Sequence, residues 1–182
     1  MCTQAEKTAV AVLAAEEGEL KNLLTFIGQA NTPLGISVYT AYTTAVTALQ
    51  NWVPGTAAAE ASQIVTAFLN VFNQLPIPSE IQGLADLIGA AVQTVLGILE
   101  ANSPAPAATG TVATPEAQEL HAHAVEAKTE AAVQEKTGFK LGWMDKVRIA
   151  HGDHTIIKKR FDDEWNKKVP TDPKYAALKV AA

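Results

Sequence analysis

Two imidazoles and a carboxylate fall within four consecutive positions, His151-Gly152-Asp153-His154. These are side-chain types that ligate transition metals, so His151, Asp153 and His154 are the candidate metal ligands of the chain. The spacing works against them. Gly152 interrupts the helix that would align positions 151 and 154, and no distant third ligand is announced. His121 and His123 are two positions apart and point to different faces of a helix. The expectation is a surface loop in which Asp153 caps the following helix, with no metal and no cofactor bound. Imidazole is the side-chain type that ordinarily changes charge near neutrality, and the expectation is that docking of this region is sensitive to pH.

Other chemistry is sparse. Glu16, Glu17 and Glu19 form a carboxylate group and read as a solvated helix face. Cys2 is the single cysteine, so an internal disulfide is excluded. It is a poor nucleophile without an organised base. In a Met-Cys start it is the candidate lipidation residue, on a chain whose N-terminus lacks the basic and apolar regions of a secretory signal. There is no G-x-S-x-G, no H-E-x-x-H and no phosphate-cradling glycine loop, and the protein reads as non-enzymatic. Lys158-Lys159-Arg160 is answered by Asp162-Asp163-Glu164. At i,i+4 spacing Lys158 and Lys159 reach Asp162 and Asp163, which fits intrahelical pairing better than phosphate binding.

Charge distribution narrows the class further. Residues 1–100 carry eight acids and two bases, and residues 101–182 carry eleven acids and twelve bases. Neither part has the basic excess of a nucleic-acid footprint. From Asn22 to Ala59 there is no charged residue at all. Charged residues make up 18% of the 182-residue chain, against roughly 25% in ordinary soluble proteins.

Pro and Gly divide the first hundred residues into four helix-length pieces. The first runs from Thr3 to Gln29. The second opens on Thr32 as cap and Pro33 at the first helical position, and stops at Pro54-Gly55. The third runs from Thr56 to Leu75, and the fourth from Ser79, as cap, to Asn102. In the second piece Val38, Tyr42, Ala45, Leu49 and Trp52 form an apolar stripe at 4-3 spacing. Thr40, Thr44, Thr47 and Asn51 repeat that spacing on another face. Ala61, Val65, Phe68 and Phe72, then Ile81, Leu84, Ile88, Val92, Val95 and Leu99, continue the pattern. Strict alternation fails at Ala45-Val46 and Ala48-Leu49, and the Pro-to-Pro length fits a helix better than one strand.

The fold expected is therefore all-α: an antiparallel up-down four-helix bundle over 1–102, an Ala/Pro/Thr linker over 103–115, and a charged helical tail over 116–182. Phe139, Trp143, Phe161 and Trp165 concentrate aromatics in the tail as anchors. A bundle whose outer faces carry Thr, Ser, Gln and Asn loses little when it is desolvated against another subunit.

The function expected is a structural or interaction protein. Thr40, Thr44, Thr47, Asn51, Phe139, Trp143, Phe161 and Trp165 would form its interaction surface. Its partners would be protein subunits in a homo- or hetero-oligomer, with no nucleic acid, in a virion or tail component or a cell-envelope complex. Two alternatives stand beside it. One is membrane association, through Cys2 or by insertion of 81–99, where Asp86 would cost about 2.5–3.5 kcal/mol at the bilayer centre. The other is a metal- or ligand-binding helical domain.

Overall fold

A computed structural model describes residues 4–52, 58–101, 148 and 151–181. Among them the chain is all-α. The elements are α1 (Gln4–Ala14), α2 (Glu17–Phe26), α3 (Pro33–Gln50), α4 (Ala58–Phe72), a 3-10 turn at Ser79–Ile81, α5 (Gln82–Ala101), α6 (Thr155–Lys168) and a C-terminal 3-10 turn at Pro173–Leu178.

The first expected helix is two helices. The break falls at Ala15-Glu16, where Glu16 N–H reaches back only to the Leu13 carbonyl at 3.4 Å. The Tyr42 hydroxyl, from α3, donates to the same carbonyl at 2.8 Å. A tertiary hydrogen bond thus takes the place of a lost helical one, satisfying a buried acceptor at the break.

The end of α2 is a Schellman motif. Gly28 has φ +69°, its N–H donates to the Thr25 carbonyl, and Gln29 N–H donates to the Leu24 carbonyl. The cap expected at Thr32 is present: its hydroxyl oxygen accepts from Gly35 N–H at 3.1 Å, and Pro33 follows it. Ser79 does not cap α5. It lies inside the 3-10 turn, and its hydroxyl donates to Glu80.

α1 packs on α3 and α5, α3 on α4, and α4 on α5, so these four helices close a ring. The expected apolar stripes line it: Val38, Tyr42, Ala45 and Leu49 from α3, Ala61, Val65, Phe68 and Phe72 from α4, and Leu84, Ile88, Val92, Val95 and Leu99 from α5 are all buried. The Tyr42 and Phe68 rings meet edge to face at 5.6 Å.

The C-terminal region packs against the helices before it. α6 packs on α1 and α5, and the C-terminal turn packs on α2. Ile156, Ile157, Phe161, Trp165, Tyr175 and Leu178 belong to the same continuous apolar core as the helices before residue 102. Phe161 and Trp165, expected on an interaction surface, are 1% and 0% exposed. The reason is the large apolar area of the two rings, whose burial contributes roughly 1.5–3 kcal/mol for a side chain such as Phe. Trp165 also has its indole N–H satisfied internally, donating to the Leu178 carbonyl at 2.7 Å. Asn166 pairs with both backbone groups of Val180 at 3.0 Å, which fastens the segment after the turn.

Candidate functional site

Among the described residues, two places carry polar groups with functional potential: an acid cluster inside the fold and a neutral face outside it.

The acid cluster forms where α6 crosses the α1–α2 break. Glu16 and Glu19 are fully buried, and Asp162 on α6 is nearly so. They are not the solvated face that the sequence suggested. Lys158 Nζ reaches Glu19 Oε1 at 2.7 Å and also contacts Asp162 Oδ1. One ammonium therefore links the N-terminal helices to the C-terminal one. Both carboxyl oxygens of Glu16, and Oε2 of Glu19, are buried without a hydrogen-bond partner. Glu17, between them, turns outward to pair with Lys21 at 2.7 Å and to accept from the Tyr39 hydroxyl at 2.9 Å.

The electrostatics follow from that geometry. Burial, with the neighbouring Glu19 charge added, holds the Glu16 carboxyl well above the usual carboxylate range. Burial and the hydrogen bond to Asp162 push Glu19 up to about 7, against the opposing pull of Lys158. Glu16 stands at the N-terminus of α2, where the helix dipole favours negative charge, but desolvation is the larger effect for a carboxyl with no donor in reach. The cluster can thus hold protons at neutral pH.

The sequence carried a signal for this. Glu16 falls three residues after Leu13 and four before Leu20, inside the apolar stripe of the helix instead of opposite it. An acid at a stripe position is a buried acid unless the helix turns it away.

The neutral face lies on α3. Thr40, Thr44, Thr47 and Asn51 are exposed to solvent in the single chain. The polar groups of Thr44, Thr47 and Asn51 are turned onto their own helix. The Thr44 hydroxyl donates to the Thr40 carbonyl, that of Thr47 to Thr43, and the Asn51 amide to Thr47, all at 2.8–2.9 Å. This is the i−4 back-bonding open to Thr in a helix. Thr44, Thr47 and Asn51, with Thr43, Ala48 and Ile64 of α4, line an open depression of about 370 Å3.

The His loop is internally committed. Asp153 accepts from Thr155 N–H and hydroxyl on Oδ1, and from the Arg148 guanidinium on Oδ2. These bonds hold its carboxyl below the usual value. His154 Nδ1 lies 3.0 Å from the Gly152 carbonyl, across a turn made by Gly152 at φ +86°. His151 is exposed. Among the described residues no group of three or more His, Cys, Asp or Glu side chains is arranged to hold a metal ion. Cys2, His121, His123, Phe139 and Trp143 lie outside the described residues.

No protein-family model, no curated protein and no solved structure matches the chain.

Proposed function

We propose that this is a non-enzymatic structural protein, an antiparallel up-down helix bundle whose neutral α3–α4 face packs against other protein subunits in a larger assembly. A virion or tail component, or a cell-envelope complex, is the setting that suits such a unit. The observation that carries the reading is the α3 face. Its Thr and Asn groups bond to their own backbone and carry no charge, so covering them strips few hydrogen bonds from water and no ions. The face is uncovered in the single chain and has the shape of a shallow depression, into which a neighbouring helix would fit. Phe161 and Trp165 leave the reading, since they sit in this chain's own core.

The test is the particle mass of native material by light scattering, over a range of concentrations, for the wild type and for Thr44→Lys. The expectation is an oligomer that the lysine dissociates. A wild type that stays monomeric at every concentration, with no subunit bound when isolated from its source, sinks the proposal.

One observation favours membrane association as a second reading. Ser79–Glu100 is 22 residues long with a mean hydropathy of 1.5, enough to cross a bilayer by length and composition. It ranks second because more than half of that stretch is buried against the chain's own helices, which it would have to leave in order to insert. Partition into detergent after native extraction separates the two readings.

A further inference from the structure

We propose that Glu16, Glu19 and Lys158, with Asp162 beside them, form a proton-operated lock that fastens the C-terminal helix α6 to the α1–α2 break, tight when the two glutamate carboxyls hold protons and loosened as they ionise. The lock does not depend on the chain belonging to an assembly.

The geometry supplies three carboxyls and one ammonium at a junction of elements 139 positions apart in sequence. Lys158 is engaged by both Glu19 and Asp162. Ionisation of both glutamates would leave Glu19 and Asp162 sharing one ammonium, with a second buried charge on Glu16, unbonded on both oxygens, beside Glu19. Like charges in a dry site repel strongly, and a buried ion without a donor is costly, so the closed arrangement favours retained protons.

The surrounding elements do not relieve this. From α2, Glu17 is paired outward with Lys21. From α3, Tyr39 bonds to Glu17, and Tyr42 spends its proton on the Leu13 carbonyl. α5 brings only Asp86 and Glu100, both exposed and both acidic. Lys7 on α1 is exposed. On α6, Lys159 pairs with Asp163, while Arg160 is partly buried and has partners of its own. From the C-terminal turn, Lys174 lies over the Tyr175 ring and within 3.8 Å of Asp172.

Release of the lock would free α6 and the turn after it from the core they share with the preceding helices. That gives the chain a way to expose Phe161 and Trp165 at higher pH.

The experiment is amide hydrogen exchange of the full chain, read over residues 155–168 between about pH 5.5 and about pH 8.5, after correction for intrinsic exchange. The expected result is a fall in protection of roughly tenfold or more in the wild type. A carboxyl that binds its proton tenfold more tightly when closed than when open biases the opening equilibrium by that same factor. The Glu16→Gln/Glu19→Gln double variant keeps the shape of both side chains and should show a flat profile. A flat wild-type profile overturns the proposal, and so does a wild-type fall persisting in the folded double variant. If the double variant does not fold, a carbon-13 titration of the wild-type glutamate carboxyls decides. Two midpoints well above the ordinary range, moving with the Trp165 indole signal, support the lock. Ordinary midpoints for every glutamate overturn it.

Discussion

The ammonium of Lys158 lies 2.7 Å from the carboxylate of Glu19, joining two helices that most of the chain separates. Glu19 is fully buried while the Lys158 side chain is 45% exposed. The pair thus straddles the boundary between core and solvent. Replacing Lys158 by Met keeps the aliphatic stem and removes the charge, leaving Glu19 and Asp162 to face each other. Breaking a fully buried pair costs about 3–5 kcal/mol, and the exposure of Lys158 reduces this to about 1–2 kcal/mol through solvent screening. Urea unfolding near pH 8 should read that loss. Near pH 5, where Glu19 holds its proton, the loss should shrink.

The pH profile of global stability should have an unusual slope. Glu16 and Glu19 both have carboxyls raised in the folded state, Glu19 to about 7 from an ordinary 4.5. Between those two values the folded chain holds more protons than the unfolded one. Their contribution is complete below the lower value and is lost as pH rises through the upper one. Glu17, Glu80 and Asp153 are held low by their hydrogen bonds and act oppositely, losing their contribution as pH falls below the ordinary range. Thermal unfolding should therefore show greatest stability near about pH 5 and a decline toward pH 7. Stability that rises steadily from pH 5 to pH 8 would contradict the burial of these acids.

Tyr42→Phe isolates the hydrogen bond at the α1–α2 break. Burial and the nearby acids push the Tyr42 hydroxyl up, so it remains a donor at any ordinary pH. The ring stays packed in the variant, but the Leu13 carbonyl loses its 2.8 Å partner. The expected cost is about 1–2 kcal/mol by denaturant titration, the scale of an unsatisfied buried acceptor. A neutral result would mean that Glu16 N–H alone suffices for that carbonyl.

Two glycines should respond in opposite directions to alanine. A Cβ at Gly35 would stand 1.8 Å from the Gln29 carbonyl oxygen, where the chain doubles back before α3. Gly35→Ala must displace backbone and should cost several times the roughly 1 kcal/mol that Ala ordinarily gains in a helix. At Gly83, inside α5, an added Cβ meets nothing within 4 Å. Gly83→Ala should raise stability by about 0.5–1 kcal/mol. Melting temperatures of the two variants, compared side by side, test the geometry of both helix starts.

Much of the helical architecture was legible in the residues. Pro and Gly punctuation located α3, α4 and α5 to within a few positions, and Thr32-Pro33 marked the start of α3 correctly, because caps and breakers act locally. The α3 stripe proved buried from Val38 to Leu49 for the same reason: helical periodicity depends on spacing alone. The pairs Lys158–Asp162 and Lys159–Asp163 were also readable from i,i+4 spacing.

Tertiary structure decided the rest. An unbroken helix from Thr3 to Gln29 fits local propensity, and its division at Glu16 rests in part on a hydroxyl from another helix. Whether Phe161 and Trp165 faced a partner or their own core was equally open, because an apolar surface does not specify what covers it. α1, α5 and the C-terminal turn now provide that cover. The acids at 16 and 19 looked like solvated charges because acids ordinarily are. Their burial arises from the way α6 returns to the first helices, and spacing within one segment cannot encode a contact 139 residues away. The sequence by itself determined where the helices lie and which stripe each one buries, since both follow from neighbours a few residues apart. Only the packed chain determined how completely Glu16 and Glu19 would be shut away from water, because desolvation depends on every element that closes around them.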